Sequence, residues 1–129
     1  MATRSTITVR TGENERKEIY CHWDGYPEHN GVLLFEHYNT QYKAEKLIEL
    51  GNLSSLGKLL EPKSKTHTFN NPEKNVCVAY GRDRGENNTE AIIKTNSEKT
   101  DAEEYNYFFD KGVWYVNGKL LETVLKTSI

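Results

Sequence analysis

At 129 residues the chain has the length of one ordinary domain, and its 28% charged, 36% hydrophobic and 11% aromatic residues describe a well-hydrated sequence that still carries enough rings to fold. A net charge of −2 argues against nonspecific coating of duplex DNA, which needs a basic excess to neutralise phosphates, although a local basic pocket stays open. No apolar run approaches the roughly 18 residues of a membrane span, and the opening Met-Ala-Thr-Arg-Ser lacks the apolar stretch of a signal peptide, so the expected setting is cytoplasmic with no membrane partner.

Thr6-Ile7-Thr8-Val9-Arg10 alternates apolar and polar residues, and after the polar turn at residues 11–15 the alternation resumes through Ile19, Cys21 and Trp23. This predicts an antiparallel hairpin with the Ile19, Cys21, Trp23 trio on the core face and Tyr20 and His22 on the other, available to a partner. Asp24-Gly25-Tyr26-Pro27 breaks the strand. Residues 32–38 read as a short helix, and a second follows with Asn39 or Thr40 as its cap, an Ala44, Leu47, Ile48 stripe, and Gly51 just past its end. Residues 52–75, rich in Ser, Lys, Gly, Asn and Pro, read as a long surface connection with one helical turn at most. Val76-Cys77-Val78-Ala79-Tyr80 reads as a central strand feeding the polar loop Gly81-Arg82-Asp83-Arg84-Gly85, and residues 91–95 as a further strand. A weak helix is expected over 97–104, from the Thr100-to-Glu103 capping-box spacing. Aromatic strands at 105–109 and 113–116 flank Asp110-Lys111-Gly112, a hairpin signature, and residues 119–125 suit either a strand or a helical turn. The expected fold is therefore one α+β domain over residues 1–129, a mainly antiparallel β-sheet with two short helices packed on one face.

The densest chemistry lies in Tyr20-Cys21-His22-Trp23-Asp24-Gly25-Tyr26. His22, His29 and His37 stand near Cys21, but their spacing matches no zinc motif, and no metal or other cofactor is expected. Cys21 and His22, adjacent on a strand, point to opposite faces and cannot activate one another. Both Cys21 and Cys77 read as reduced, buried thiols. His22 and Asp24, two apart, could share a face as a minimal general base, or the carboxylate could simply satisfy the imidazole and mark a turn. Arg82-Asp83-Arg84 between two glycines suits an anion clamp equally as well as a solvated turn with internal pairing. Together Arg4, Arg82 and Arg84 with Tyr20, Trp23 and Tyr26 supply guanidinium groups and flat rings, the means by which proteins hold nucleotides. The ligand-binding set is thus Arg4, Tyr20, His22, Trp23, Asp24, Tyr26, Arg82, Asp83 and Arg84, with no catalytic residue assigned. Trp23 also reads as core.

The opening Met1-Ala2-Thr3-Arg4-Ser5-Thr6-Ile7, the string Ile19-Tyr20-Cys21-His22-Trp23-Asp24-Gly25-Tyr26-Pro27, residues 50–57, Tyr80-Gly81-Arg82-Asp83-Arg84-Gly85-Glu86 and the aromatic strands at 104–116 resemble a family of small uncharacterised proteins encoded by bacteriophages and prophages. The resemblance spans nearly the whole chain. It implies a phage origin and the cytoplasm of an infected bacterial host, and an accessory role of the kind that counters host defence or redirects host machinery. The functional expectation is a non-enzymatic binder that captures a small anionic, nucleotide-like ligand or docks on a host protein; the alternative is a small hydrolase or transferase using His22 and Asp24. Self-association is left open.

Overall fold

The computed structural model describes residues 2–99 and 103–127. Strands β1 (Ser5–Gly12) and β2 (Glu15–Cys21) form the expected hairpin, with Ile7 opposite Ile19 and Thr8 opposite Glu18. Side-chain alternation therefore sends Ile7, Val9, Ile19 and Cys21 to one face and Thr6, Thr8, Glu18 and Tyr20 to the other. A π-helical turn at Pro27–Gly31 runs directly into α1 (Val32–His37). Helix α2 (Gln41–Glu49) begins at Thr40, whose side chain accepts the Lys43 N–H at 3.2 Å, and ends at Gly51 with φ +78°.

The rest of the chain adds β3 (Leu53–Ser55), β4 (Val78–Ala79), α3 (Tyr80–Arg84), β5 (Ile92–Lys94), β6 (Tyr105–Asp110), β7 (Val113–Val116), β8 (Lys119–Leu120) and α4 (Leu121–Thr127). The sheet runs β4-β3-β2-β1-β6-β7-β8, with β5 pairing beside β2. The fold is α+β, but the sheet is mixed rather than purely antiparallel, because β1 pairs with β6 and β2 with β3 in parallel. The described residues hold four helices, not two. The β6–β7 connection places both Lys111 and Gly112 at positive φ, 51° and 81°, the turn whose twist matches a hairpin.

One apolar cluster joins Ile7, Val9, Ile19 and Cys21 to Leu34, Ala44, Leu47 and Ile48 of the helices and to Tyr107, Phe109, Trp114 and Val116. Trp23 departs from its expected place in this core. It lies beyond the end of β2, just before Asp24 at φ +57°, and stands 44% exposed. The expected strand at 76–80 also shrinks to Val78 and Ala79 in the last position of the sheet. The Asp83 carboxylate accepts the Ala79 N–H at 2.8 Å and so draws the next residues into α3. In the segment expected to be helical, residues 95–99 form a turn closed by the Glu98 N–H on the Thr95 carbonyl at 3.2 Å, and Thr100 of the capping spacing lies outside the described residues. No described helix is long and apolar enough to cross a membrane.

Candidate functional site

The Tyr20–Tyr26 string divides into architecture and surface. Cys21 is fully buried, and burial pushes its thiol up to about 12, far from the reactive range. Gly25 donates its N–H to the Thr3 carbonyl at 2.8 Å and accepts the buried Tyr107 hydroxyl at 2.5 Å. A methyl group there would fall 2.8 Å from the Ser5 Cβ and 2.9 Å from the Thr3 oxygen, so only glycine fits this approach. Asn30, completely buried, donates to the Trp23 carbonyl at 3.2 Å and closes the turn from inside. Asp24 holds the left-handed bend, its carboxylate accepts the Tyr26 hydroxyl at 3.4 Å, and its negative charge raises the Tyr26 pKa.

What remains at the surface is a run of rings. The Tyr20 hydroxyl and His22 Nδ1 lie 2.6 Å apart, and the His22 ring meets Trp23 edge-on at 4.8 Å between centroids. Burial raises the Tyr20 pKa, with the nearby Arg4 guanidinium opposing it. The imidazole thus engages Tyr20, and the His22–Asp24 pairing that the spacing left open as an alternative does not appear among the hydrogen bonds of the described residues.

The Arg82-Asp83-Arg84 segment is divided in the same way. Arg82 donates to the carbonyls of Leu60 and Cys77 at 2.5 and 2.7 Å and to the Asp83 carboxylate at 2.9 Å. Asp83 also lies 3.2 Å from Nε2 of the buried His67, whose Nδ1 accepts the Glu73 N–H at 2.9 Å. Burial opposes the charge on Asp83, yet the hydrogen bonds from Arg82, Ala79 and His67 hold its carboxyl below the usual range. These side chains tie the 57–75 connection to the start of α3. Arg84 is different: half-exposed, it lies over the Phe69 ring at 4.6 Å and the Tyr80 ring at 5.0 Å, and pairs with Glu86.

Asn52 links the backbone of β2 to the start of α3. Its side-chain oxygen accepts the Tyr20 N–H at 3.0 Å, and its carbonyl accepts the Tyr80 N–H at 3.2 Å. The expected nine residues therefore resolve into Tyr20, His22 and Trp23 in ring contact with Arg4 near Tyr20, Arg84 stacked on Phe69 and Tyr80, Asp24 and Tyr26 around the bend after β2, and Arg82 and Asp83 bonded inward. Tyr80 and Phe69 belong with Arg84 and carried no signal beyond aromaticity.

A separate groove on the sheet escaped the sequence reading. It is lined by Thr8, Arg16, Asn96, Phe108 and Tyr115 among others, with a volume of about 520 Å³. Its signal was present in the strand register: Tyr107 and Phe109 face the core, so Phe108 between them must face away. Among the described residues, no group of three His, Cys, Asp or Glu side chains is placed to hold a metal ion. Comparison with known proteins finds no matching family model, no similar curated protein and no similar solved structure.

Proposed function

We propose that the protein is a non-enzymatic binding module, of the accessory kind that phages direct at their hosts, and that it docks on a host protein through the surface of Arg4, Tyr20, His22, Trp23, Tyr80 and Arg84. The observation that carries this reading is the exposed Trp23 ring against His22, together with the half-exposed Arg84 guanidinium over the part-buried Phe69 and Tyr80 rings, since Trp, Tyr and Arg are the residues that dominate docking energetics. The Cys21-to-Gly31 scaffold beneath it favours the same reading, because Gly25 and Asn30 hold the ring-bearing chain rigidly at little entropic cost to binding. Binding is preferred over hydrolysis because the imidazole is engaged by a tyrosine hydroxyl rather than, among the described residues, by a carboxylate that would orient it as a base.

The test is affinity capture from bacterial host cells by the wild-type protein and by Trp23→Ala and Arg84→Ala variants of unchanged thermal stability. A partner retained by the wild type and lost by both variants supports the reading. Retention of every captured protein by both variants overturns it.

A further inference from the structure

Strand β5 has a partner on one side. Ile92, Ile93 and Lys94 stand in register with Glu18, Lys17 and Arg16 of β2, and among the described residues no strand pairs with the other edge. Edge strands are ordinarily blunted by charges or proline, because their open row of backbone groups is a template for another strand. β5 carries instead two adjacent β-branched apolar residues, Ile92 at 50% and Ile93 at 62% exposure. Alternation sends them to opposite faces, so a strand laid along this edge covers both.

The face that Ile93 shares with α2 is acidic. Ile93 is registered with Lys17, two positions before the buried Ile19, and so looks to the helix side. There a groove of about 290 Å³ opens between α2 and β5, with Ile48, Ala91 and Ile93 as its apolar lining and Glu45, Glu49 and Glu90 as its acids. The Glu45 carboxylate accepts the uncharged Gln41 amide at 2.6 Å and keeps its full charge, and Glu90 makes no ion pair among the described residues. Glu49 lies 3.5 Å from Lys46, with both side chains well exposed. Glu15 adjoins them, since its carboxylate accepts at 2.6 Å the hydroxyl of Thr11, which lines the same groove. Four carboxylates thus stand against the ammonium groups of Lys17 and Lys46. A second copy of the chain would bring a like set of acids to this edge, which charge repulsion opposes, whereas a basic segment meets opposite charge.

We propose that the β5 edge is a second docking site, separate from the ring surface, that takes up an extended basic segment of a partner protein as an added strand. The backbone of the segment pairs with the open edge, and its side chains alternate between the two faces. On the helix face a lysine or arginine lays its methylene stem along Ile93 and Ala91 and carries its charge to Glu45 and Glu90. On the other face a β-branched residue covers Ile92. Backbone pairing supplies affinity without choosing a sequence, and the carboxylates supply the choice.

The probe is a short synthetic peptide of alternating Lys and Val with blocked ends, titrated into isotope-labelled full-length protein beside the same peptide with Glu in place of Lys. The Lys–Val peptide should saturate, with amide shifts centred on residues 91–95 and 15–18, and the Glu–Val peptide should bind about tenfold or more weakly. Ile93→Lys, at an exposed position, should weaken the Lys–Val peptide by about tenfold, by removing apolar cover and adding like charge. Glu90→Lys, also exposed, should weaken it by about threefold and reduce its sensitivity to salt. Trp23→Ala should leave peptide binding unchanged. No saturation by the Lys–Val peptide, equal affinity for the Glu–Val peptide, or full affinity in folded Ile93→Lys would each overturn the site. So would sedimentation of the unliganded protein as a dimer that Ile93→Lys dissociates, because the edge would then belong to a second copy.

Discussion

The two faces of the sheet are built from the same strands and are both covered near their centre, yet they are held by opposite physics. On the helix side Ile7, Val9, Ile19, Phe109 and Trp114 gain stability by leaving water. On the other side Thr6, Thr8, Glu18 and Lys94 are also buried, but there each polar group has to find a partner before burial is tolerable. The first face is therefore sensitive to lost volume, and the second to lost pairing.

The sharpest way to break that contrast is to remove matter from the apolar face. Phe109→Ala, at a fully buried position against Trp114, should cost about 3–5 kcal/mol by chemical denaturation. A loss under about 1 kcal/mol would mean that this face is not close-packed. The polar face is probed by a cycle. Glu18→Leu alone should cost about 3 kcal/mol by removing one partner of the buried Glu18–Lys94 pair, whereas Glu18→Leu combined with Lys94→Met should recover most of that loss. If the double variant is as unstable as the single one, pairing is not what the second face requires.

A smaller effect belongs to the Asp83 knot, where pH replaces mutation. Because the folded carboxyl sits below its ordinary value, its contribution is fully present above the usual carboxylate range and is lost as pH falls through the depressed folded value. The melting temperature should accordingly fall in acid by less in Asp83→Asn than in the wild type. Equal acid sensitivity in the two proteins would remove Asp83 from the account. The smallest change is expected at Trp23→Ala, under about 0.5 kcal/mol in stability for an exposed ring, with its whole effect on partner capture.

The local half of this architecture was legible in the residues. The β1–β2 and β6–β7 hairpins follow from alternation and turn chemistry, and α2 from its Thr40 cap and its Ala44, Leu47, Ile48 stripe, all decided within a few positions. The parallel pairing of β1 with β6 was not legible, because its partners stand a hundred residues apart and neither strand names the other. Strand β3 was hidden for a different reason: Leu53-Ser54-Ser55 has little strand propensity and takes its form from the edge of β2. Trp23 misled because alternation was carried past Cys21, where the strand had already stopped. In the candidate site the rings and arginines were recognisable as types, but which of them bond inward depended on carbonyls of Leu60 and Cys77 that no motif announces.

The parallel pairing also sets a timetable for the nascent chain. β1 lies in the interior of the sheet, between β2 and β6, so a strand made about a hundred residues before β6 acquires its second neighbour only after residues 105–109 have been made. Until then the β1–β2 hairpin offers an unsatisfied row of backbone donors and acceptors to any passing strand. Contacts of such long sequence separation are slow to form, which makes synthesis of the β6–β7 hairpin the step that ends the protein's exposure to misassembly.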